Sequence, residues 1–461
     1  MEILSKKINT KNNIYYIDAN NLYGGSQAQK MPLNNFKWAS KLELDLIFGF
    51  FLNYERKIKN QVFNKDFLNL DDLLGVKNAG FFVKVDIFYS EKLHKSHSDM
   101  PFFPQKMTIS PEMWSNNQKN IFNYIFENNT KNSHAKLVTT LYNKSQYVAH
   151  YEHIMLGIKN GLKITKIYDA VIFSEENYLN SWIELNTELR ITASKNKDPA
   201  GKTFAKFLVN SCYGKTIENL EDRNNFNLIS SVEDVYIKND DNLVESFKII
   251  NDNIAITKSK KSKVILERPV YIGLSVLEKS KIQMYCYFYG LLKKTYQDHL
   301  RLLYMDTDSF IFSLEGDDDL NLIEHTLKEN SELFFFKNEI DKNEKIAGFI
   351  TLKSKMYSML LCSNDTDFRS KNVGKGIHRS NLQMLDFGHY FLSLTKGIKF
   401  LNESYSLRSF NHKVFRVKSV KKSLDLFDDK RYYLNCNIHS RPYGHFLDKN
   451  NENDFCQICE I

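Results

Sequence analysis

The sequence is poor in cysteine and in long apolar runs, and each shortage excludes a class of protein. Six cysteines in 461 residues cannot build a disulfide framework. The longest apolar run, LIFGFF at 46–51, is far too short to cross a bilayer. The stretch after Met1, EILSKKINTKNN, has no apolar core for a secretory signal. No internal repeat of fixed period is present. The expectation is a soluble intracellular protein of the nucleus or cytoplasm, in a reducing environment and with no membrane partner.

What is present suits a large globular chain of two to four folding units, with 42% hydrophobic and 26% charged residues. A net charge of +8 is compatible with an anionic partner but too common to identify one. IYYIDANNLYG (14–24) has the composition of a strand followed by a turn. GFFVKVDIFY (80–89) is a second strand. HYEHIMLGIKNGLKITKIYDAVIF reads as a helix closed at Gly161 and then a strand. Helical spacing over 178–189 and again from Thr203 predicts an antiparallel helical hairpin interrupted by NKDPAGK. Four short β-like runs follow (NFNLIS, FKII, NIAIT, KVIL), then a long helix over 271–296, a hairpin around RLLYMDTDSFIFS, and a strand region at 347–362.

The chemistry begins with that hairpin. Alternate residues of a strand project to one side, so Asp306 and Asp308 are expected to point together, with Thr307 turned away. Asp18 follows the strand IYYI in a similar way. If the strands are neighbours, three carboxylates converge at one sheet edge. Hard oxygen donors of this kind suit Mg2+, and two such ions can serve phosphoryl transfer. In KTFAKFLVNSCYG, Lys202, Lys206, Asn210 and Tyr213 share one helical face. Phe204, Phe207, Leu208 and Cys212 are expected to pack on the other. Two ammonium groups could neutralise a triphosphate and a ring could stack on a base; a solvated lysine face is the plainer alternative.

Taken together these residues resemble family B DNA polymerases. YMDTDS looks like their motif C, KFLVNSCYG matches motif B, DANNLYG resembles motif A, and KMY (355–357) resembles the K-x-Y motif, all in the family's order. The protein-primed branch is the nearest resemblance, through DANNLYG and a late DDKRY…YGH stretch shared with Maverick/Polinton-type polymerases. The resemblance implies an α+β, right-hand fold with an antiparallel-sheet palm. Its parts would be palm at 1–35, a first insertion at 36–176, fingers at 177–217, a second β-rich insertion at 218–268, palm again at 269–370, and a thumb-like region at 371–461. The insertions would bind a terminal protein and wrap template.

It also implies roles. Asp18 and Asp308 would hold two Mg2+ ions, with Mn2+ as a substitute, aided by Asp306 and the Ala19 carbonyl. Tyr23 would pack under the sugar and reject a 2′-hydroxyl. Arg190, Lys206, Asn210 and Lys202 would hold the deoxynucleoside triphosphate, with Tyr213 and Gly214 beside the nascent base pair. Thr307, Lys355 and Tyr357 would lie along the primer of a primer–template DNA. Lys258, Lys260 and Lys261, from KSKKSK, would contact template phosphates.

The chain departs from the family pattern at Asn21, usually Ser, and Gly24, usually Pro. Only 17 residues precede Asp18, so no 3′–5′ exonuclease is expected in this chain. A truncated remnant that at most binds DNA, or an interaction module for a terminal protein, are the competing readings. CNIH (436–439) and CQIC (456–459) have zinc-compatible spacing. The family pattern holds no such site and the second pair stands at the very C-terminus, so cysteines that hold nothing are expected there.

Overall fold

Residues rich in β-branched and aromatic side chains form strands where a neighbour can complete the ladder, and β1 spans Asn13–Ala19. The computed structural model describes residues 13–60, 69–126, 134–231, 244–316, 320–328, 332–363, 366–410, 413–449, 456 and 459. After β1 the expected turn is tighter than a loop. Asn21 adopts a left-handed conformation (φ 49°) and opens a short helix, α1 (Leu22–Gln27). Asn tolerates that conformation better than most side chains.

β2 (Met31–Trp38) and the long helix α2 (Lys41–Asn60) come next. They are followed by β3 (Ala79–Phe88), α3 (Asn116–Phe126), β4 (Lys144–His150), α4 (Tyr151–Lys159) and β5 (Lys163–Glu176). The four strands make an antiparallel sheet of order β2-β5-β3-β4. Gly161, at φ 92°, carries the chain from α4 into β5 as the sequence predicts.

The helical hairpin is α5 (Asn180–Lys195) and α6 (Pro199–Thr216). α6 starts at Pro199 rather than Thr203 because Asp198 caps it, its carboxylate accepting from the amides of Ala200 and Gly201 at 3.0 Å each. β6 (Asn224–Ile229), β7 (Val244–Asn251) and β8 (Ile254–Lys260) form a small sheet of order β6-β8-β7. KVIL (263–266) forms no strand. Ile265 and Leu266 are exposed, and a β-like composition without a partner strand has no ladder to join.

The long helix α7 (Val270–Tyr285) continues into a π-helical segment, Cys286–Leu292. Beyond it lie β9 (Leu300–Met305), β10 (Ser309–Leu314), β11 (Phe336–Asn338), β12 (Glu344–Lys353), β13 (Met356–Ser363) and β14 (Asp367–Gly374). These build the main sheet, of order β9-β10-β1-β12-β13-β14, with β11 pairing the end of β1. Every pairing is antiparallel, and the protein is α+β. α8 (Phe387–Lys396) covers β12 and β13 through Tyr390, with Leu385 just ahead of the helix in the same cluster. A long hairpin, β15 (Phe400–Phe410) and β16 (Lys413–Leu424), projects beyond it.

One hydrophobic core joins both large sheets. Ile17 of β1, Phe81 of β3, Ile172 of β5, Phe288 after α7 and Phe310 of β10 belong to it, each fully buried. Burial of each such side chain stabilises by about 1.5–3 kcal/mol. Within this core α7 carries charge. Glu278, 2% exposed, accepts from Lys281 Nζ at 2.8 Å and lies 2.7 Å from His153 Nδ1. Lys279 Nζ meets Glu152 at 2.5 Å. On the same helix Ser280 Oγ lies 2.8 Å from Ser26 Oγ in α1.

Candidate active site at the sheet edge

Asp18 and Asp308, remote in sequence, meet where β1 and β10 pair. The register sets Asp18 opposite Ser309, and the Ala19 amide donates to the Asp308 carbonyl at 2.7 Å. The first two of the three expected carboxylates are thereby neighbours.

The third is arranged differently. Asp306 and Asp308 do not alternate along a strand, because β9 ends at Met305 and β10 begins at Ser309. Between them the Asp308 amide donates to the Asp306 carbonyl at 2.7 Å, and Thr307 sits at φ 64°. This is a γ-turn of the rarer left-handed kind, held at an energetic cost of order 1–3 kcal/mol. The turn sends Asp306 to Lys355, whose Nζ donates to both carboxylate oxygens at 2.7 and 2.8 Å. Lys355 is itself fixed by its amide, which donates to the Tyr304 hydroxyl at 2.8 Å.

Burial and the nearby Asp308 charge push the Asp18 carboxyl up to about 6. Burial likewise raises Asp308, with Asp306 adding to it and Lys206 and Lys355 opposing. Lys337 Nζ lies 3.5 Å from Asp18 Oδ1, and Lys337 also pairs with Glu339. Lys337 stands opposite Asp18 in the β1–β11 register. The sequence offered no signal for it, since FFFKNEI resembles no motif and its partner lies three hundred residues away.

A measurable consequence follows from the raised carboxyl. Folded Asp18 binds its proton more tightly than the unfolded chain, whose ordinary value is 3.8. Its contribution to stability is therefore fully present below pH 4 and is lost as pH rises through about 6. With a quarter of the side chain exposed, solvent screening reduces the loss to ~1–2 kcal/mol. Asp18→Asn is expected to be more stable than the parent by that amount at pH 8 in EDTA, and equal to it at pH 4. Urea denaturation at the two pH values checks this; equal differences at both would refute it.

The helices bring the remaining candidates to the same edge. Tyr23, on α1, stacks on Tyr213 of α6 with ring centroids 4.6 Å apart. Arg190 of α5 is close enough to Asp18 to feel its charge, although burial dominates and lowers the guanidinium. Its Nε is buried with no hydrogen-bond partner among the described residues. Lys206 acts on Asp308 from α6, while Lys202 and Asn210 are exposed on the same helix. Gly214 faces open space, with nothing within 4 Å of where a Cβ would stand.

The apolar half of α6 is not where the sequence suggests. Phe204 and Phe207 are exposed, and the buried stripe is Ala205, Val209 and Thr216. At 100° per residue that stripe lies beside the lysine face, so the two phenylalanines fall on the far side. Val209 packs with Ile183 of α5 and Ala28.

Tyr357 is buried, its ring against Tyr304 and Phe349 at 5.1 and 5.7 Å. Lys258 and Lys260 are both paired with Glu245, at 2.6 and 3.6 Å, while Lys261 is exposed. The expectation of unassociated cysteines fails. Cys436, His439, Cys456 and Cys459 come together, their ligand atoms all within 4.8 Å of one another.

Residues 2–288 match the family model of DNA polymerase type B, organellar and viral. The chain belongs to this family. The match covers motifs A and B, and motif C lies beyond it, joined to motif A by the β1–β10 pairing. Similar solved structures are the phi29 DNA polymerase with primer-template DNA (13% identity, TM-score 0.49) and with single-stranded DNA (13%, TM-score 0.48). Each comparison covers 90% of this chain, which spans 59% and 58% of those polymerases. No curated protein matches the chain. No helix among the described residues is long and apolar enough to cross a membrane.

Within the type B polymerase pattern, the two departures in motif A fit each other. A Cβ at position 24 would lie 2.1 Å from the Asn21 amide nitrogen. The longer side chain at 21 occupies space that a residue other than glycine at 24 would need.

Proposed function

We propose that this chain catalyses template-directed DNA synthesis, adding deoxynucleotides to a primer end by phosphoryl transfer assisted by two divalent cations. The observation that carries the reading is the meeting of Asp18 and Asp308 in one register, with Arg190 and Lys206 beside them. The donors suit Mg2+, or Mn2+ in its place. They are carboxylate oxygens without sulfur or imidazole, and burial raises both, with the Asp308 charge adding to it at Asp18 and the Asp306 charge at Asp308. When bound, such ions activate the primer hydroxyl and neutralise charge on the phosphates.

The chain's own residues supply the rest. Asp18 and Asp308, with the Ala19 carbonyl, hold the cations, and Asp306 orients Lys355 toward the primer. Arg190, Lys206, Lys202 and Asn210 bind the triphosphate. The buried Arg190 Nε, without a hydrogen-bond partner among the described residues, supports this, because such a donor gains most from a charged acceptor. The Tyr23–Tyr213 stack forms a rigid floor against which a 2′-hydroxyl would clash, and the open side of Gly214 leaves room for a base pair. Tyr357 supports Tyr304 and the Lys355 turn from behind. Of the three lysines proposed to meet template phosphates, Lys261 is exposed, while Lys258 and Lys260 share Glu245. Palm (1–35 and 269–370), fingers (177–217), thumb-like region (371–461) and the intervening insertions remain the proposed division, and a terminal protein a proposed primer.

The test is primer extension by the purified chain with Mg2+, deoxynucleoside triphosphates and a defined template. Incorporation should occur only with the complementary nucleotide and only with the divalent cation. DNA binding without any incorporation would overturn the polymerase reading and leave the DNA-binding remnant.

A further inference from the structure

We propose that Cys436, His439, Cys456 and Cys459 bind one zinc ion in a closed structural site that fastens the C-terminal end of the chain. The site lies apart from the carboxylates described above and does not depend on the polymerase reading.

The geometry carries this. Three sulfurs surround a single imidazole nitrogen. Cys456 Sγ, Cys459 Sγ and Cys436 Sγ lie 3.3, 3.4 and 3.5 Å from His439 Nδ1. Ligands held by zinc at ~2.3 Å for sulfur and ~2.0 Å for nitrogen stand roughly 3.5–3.8 Å apart in a tetrahedron. The observed separations are nearly equal to one another and close to that edge. Hydrogen bonding does not account for them, because one ring nitrogen has a single lone pair or a single hydrogen to share among three sulfurs. A disulfide does not either, since none of the six cysteines forms one.

The chemistry agrees. Three soft thiolates and one imidazole select zinc over the hard cations suited to carboxylates. Four protein ligands leave no open position, which marks a structural rather than a catalytic metal. The chain around the first pair is shaped for it. Asn437 turns at φ 59°, and the His439 amide donates to Cys436 Sγ at 3.3 Å, a contact that orients and stabilises a thiolate ligand. That turn is anchored to α3, where Asn117 Nδ2 donates to the Leu434 carbonyl at 3.0 Å and to Asn437 Oδ1 at 2.6 Å. Cys456 is fully buried. A metal here would tie the second pair to the turn, and through it to α3.

The test uses the full chain, grown with added zinc and purified without chelator. About one zinc per chain is expected by elemental analysis, with release on treatment by a mercurial thiol reagent. Replacement by Co2+ should give the thiolate charge-transfer and intense visible bands of tetrahedral Cys3His coordination. Cys459→Ser should lose most of the metal, whereas Cys212→Ser and Cys362→Ser should keep it. A parent protein that carries no zinc and shows no thiolate–cobalt band would overturn the proposal, and that measurement requires no variant to fold. Equal metal content in Cys459→Ser and the parent would overturn it as well.

Discussion

Asp308→Asn is expected to lower the rate of primer extension at least about a thousandfold, equivalent to ~4 kcal/mol of barrier. The same holds for Asp18→Asn. On the proposed mechanism each substitution removes one anionic donor from the pair that would hold divalent charge where a hydroxyl and a phosphate react, and an amide oxygen carries no compensating charge. The fold should survive, since both side chains repel each other without a cation and each is raised by burial. Single-turnover extension with saturating nucleotide separates this loss from weakened binding. Asp306→Asn should cost much less, because Asp306 is engaged by Lys355 rather than by the other two carboxylates. Should either Asp308→Asn or Asp18→Asn retain parental rates, the site assignment fails.

Glu278→Ala is expected to cost ~3–5 kcal/mol of stability, among the largest effects of any single substitution here. Glu278 sits inside the core and serves two partners, His153 and Lys281, at 2.7 and 2.8 Å. Truncation strands a fully buried imidazole whose Nε2 already has no partner among the described residues, and a stranded polar group pays its whole desolvation cost. Glu278→Gln keeps the shape and one hydrogen bond, so about 1–2 kcal/mol is expected. Chemical denaturation of the three proteins gives the ranking; an alanine variant no worse than the glutamine one would remove the argument. Activity should fall along with stability, because α7 supports α1 through Ser280 and Ser26, and α1 carries Tyr23.

These two experiments address different levels of what the chain encodes. The candidate site residues were legible at once. The Asp-Thr-Asp core, the amide and lysines of α6 and the phenol of Tyr23 are local patterns. Periodicity and turn residues also placed β1, β3, the α4–β5 unit, the helical hairpin and α7, because those elements arise from near neighbours in the chain. Local pattern misled where two faces of one helix competed. Phe204 and Phe207 look like core residues, yet Ala205 and Val209 are buried instead, Val209 against Ile183 of α5, and the two rings are left in solvent.

The sequence by itself determined which side chains are available for chemistry and which segments are helix or strand. Only the tertiary structure decided who meets whom. It set Lys337 opposite Asp18, turned Asp306 toward Lys355 through a strained γ-turn, and gathered three cysteines from two separate stretches around one histidine. Strand register and chain crossings set those pairings. They depend on the packing of the whole core, and no short window of sequence contains that information.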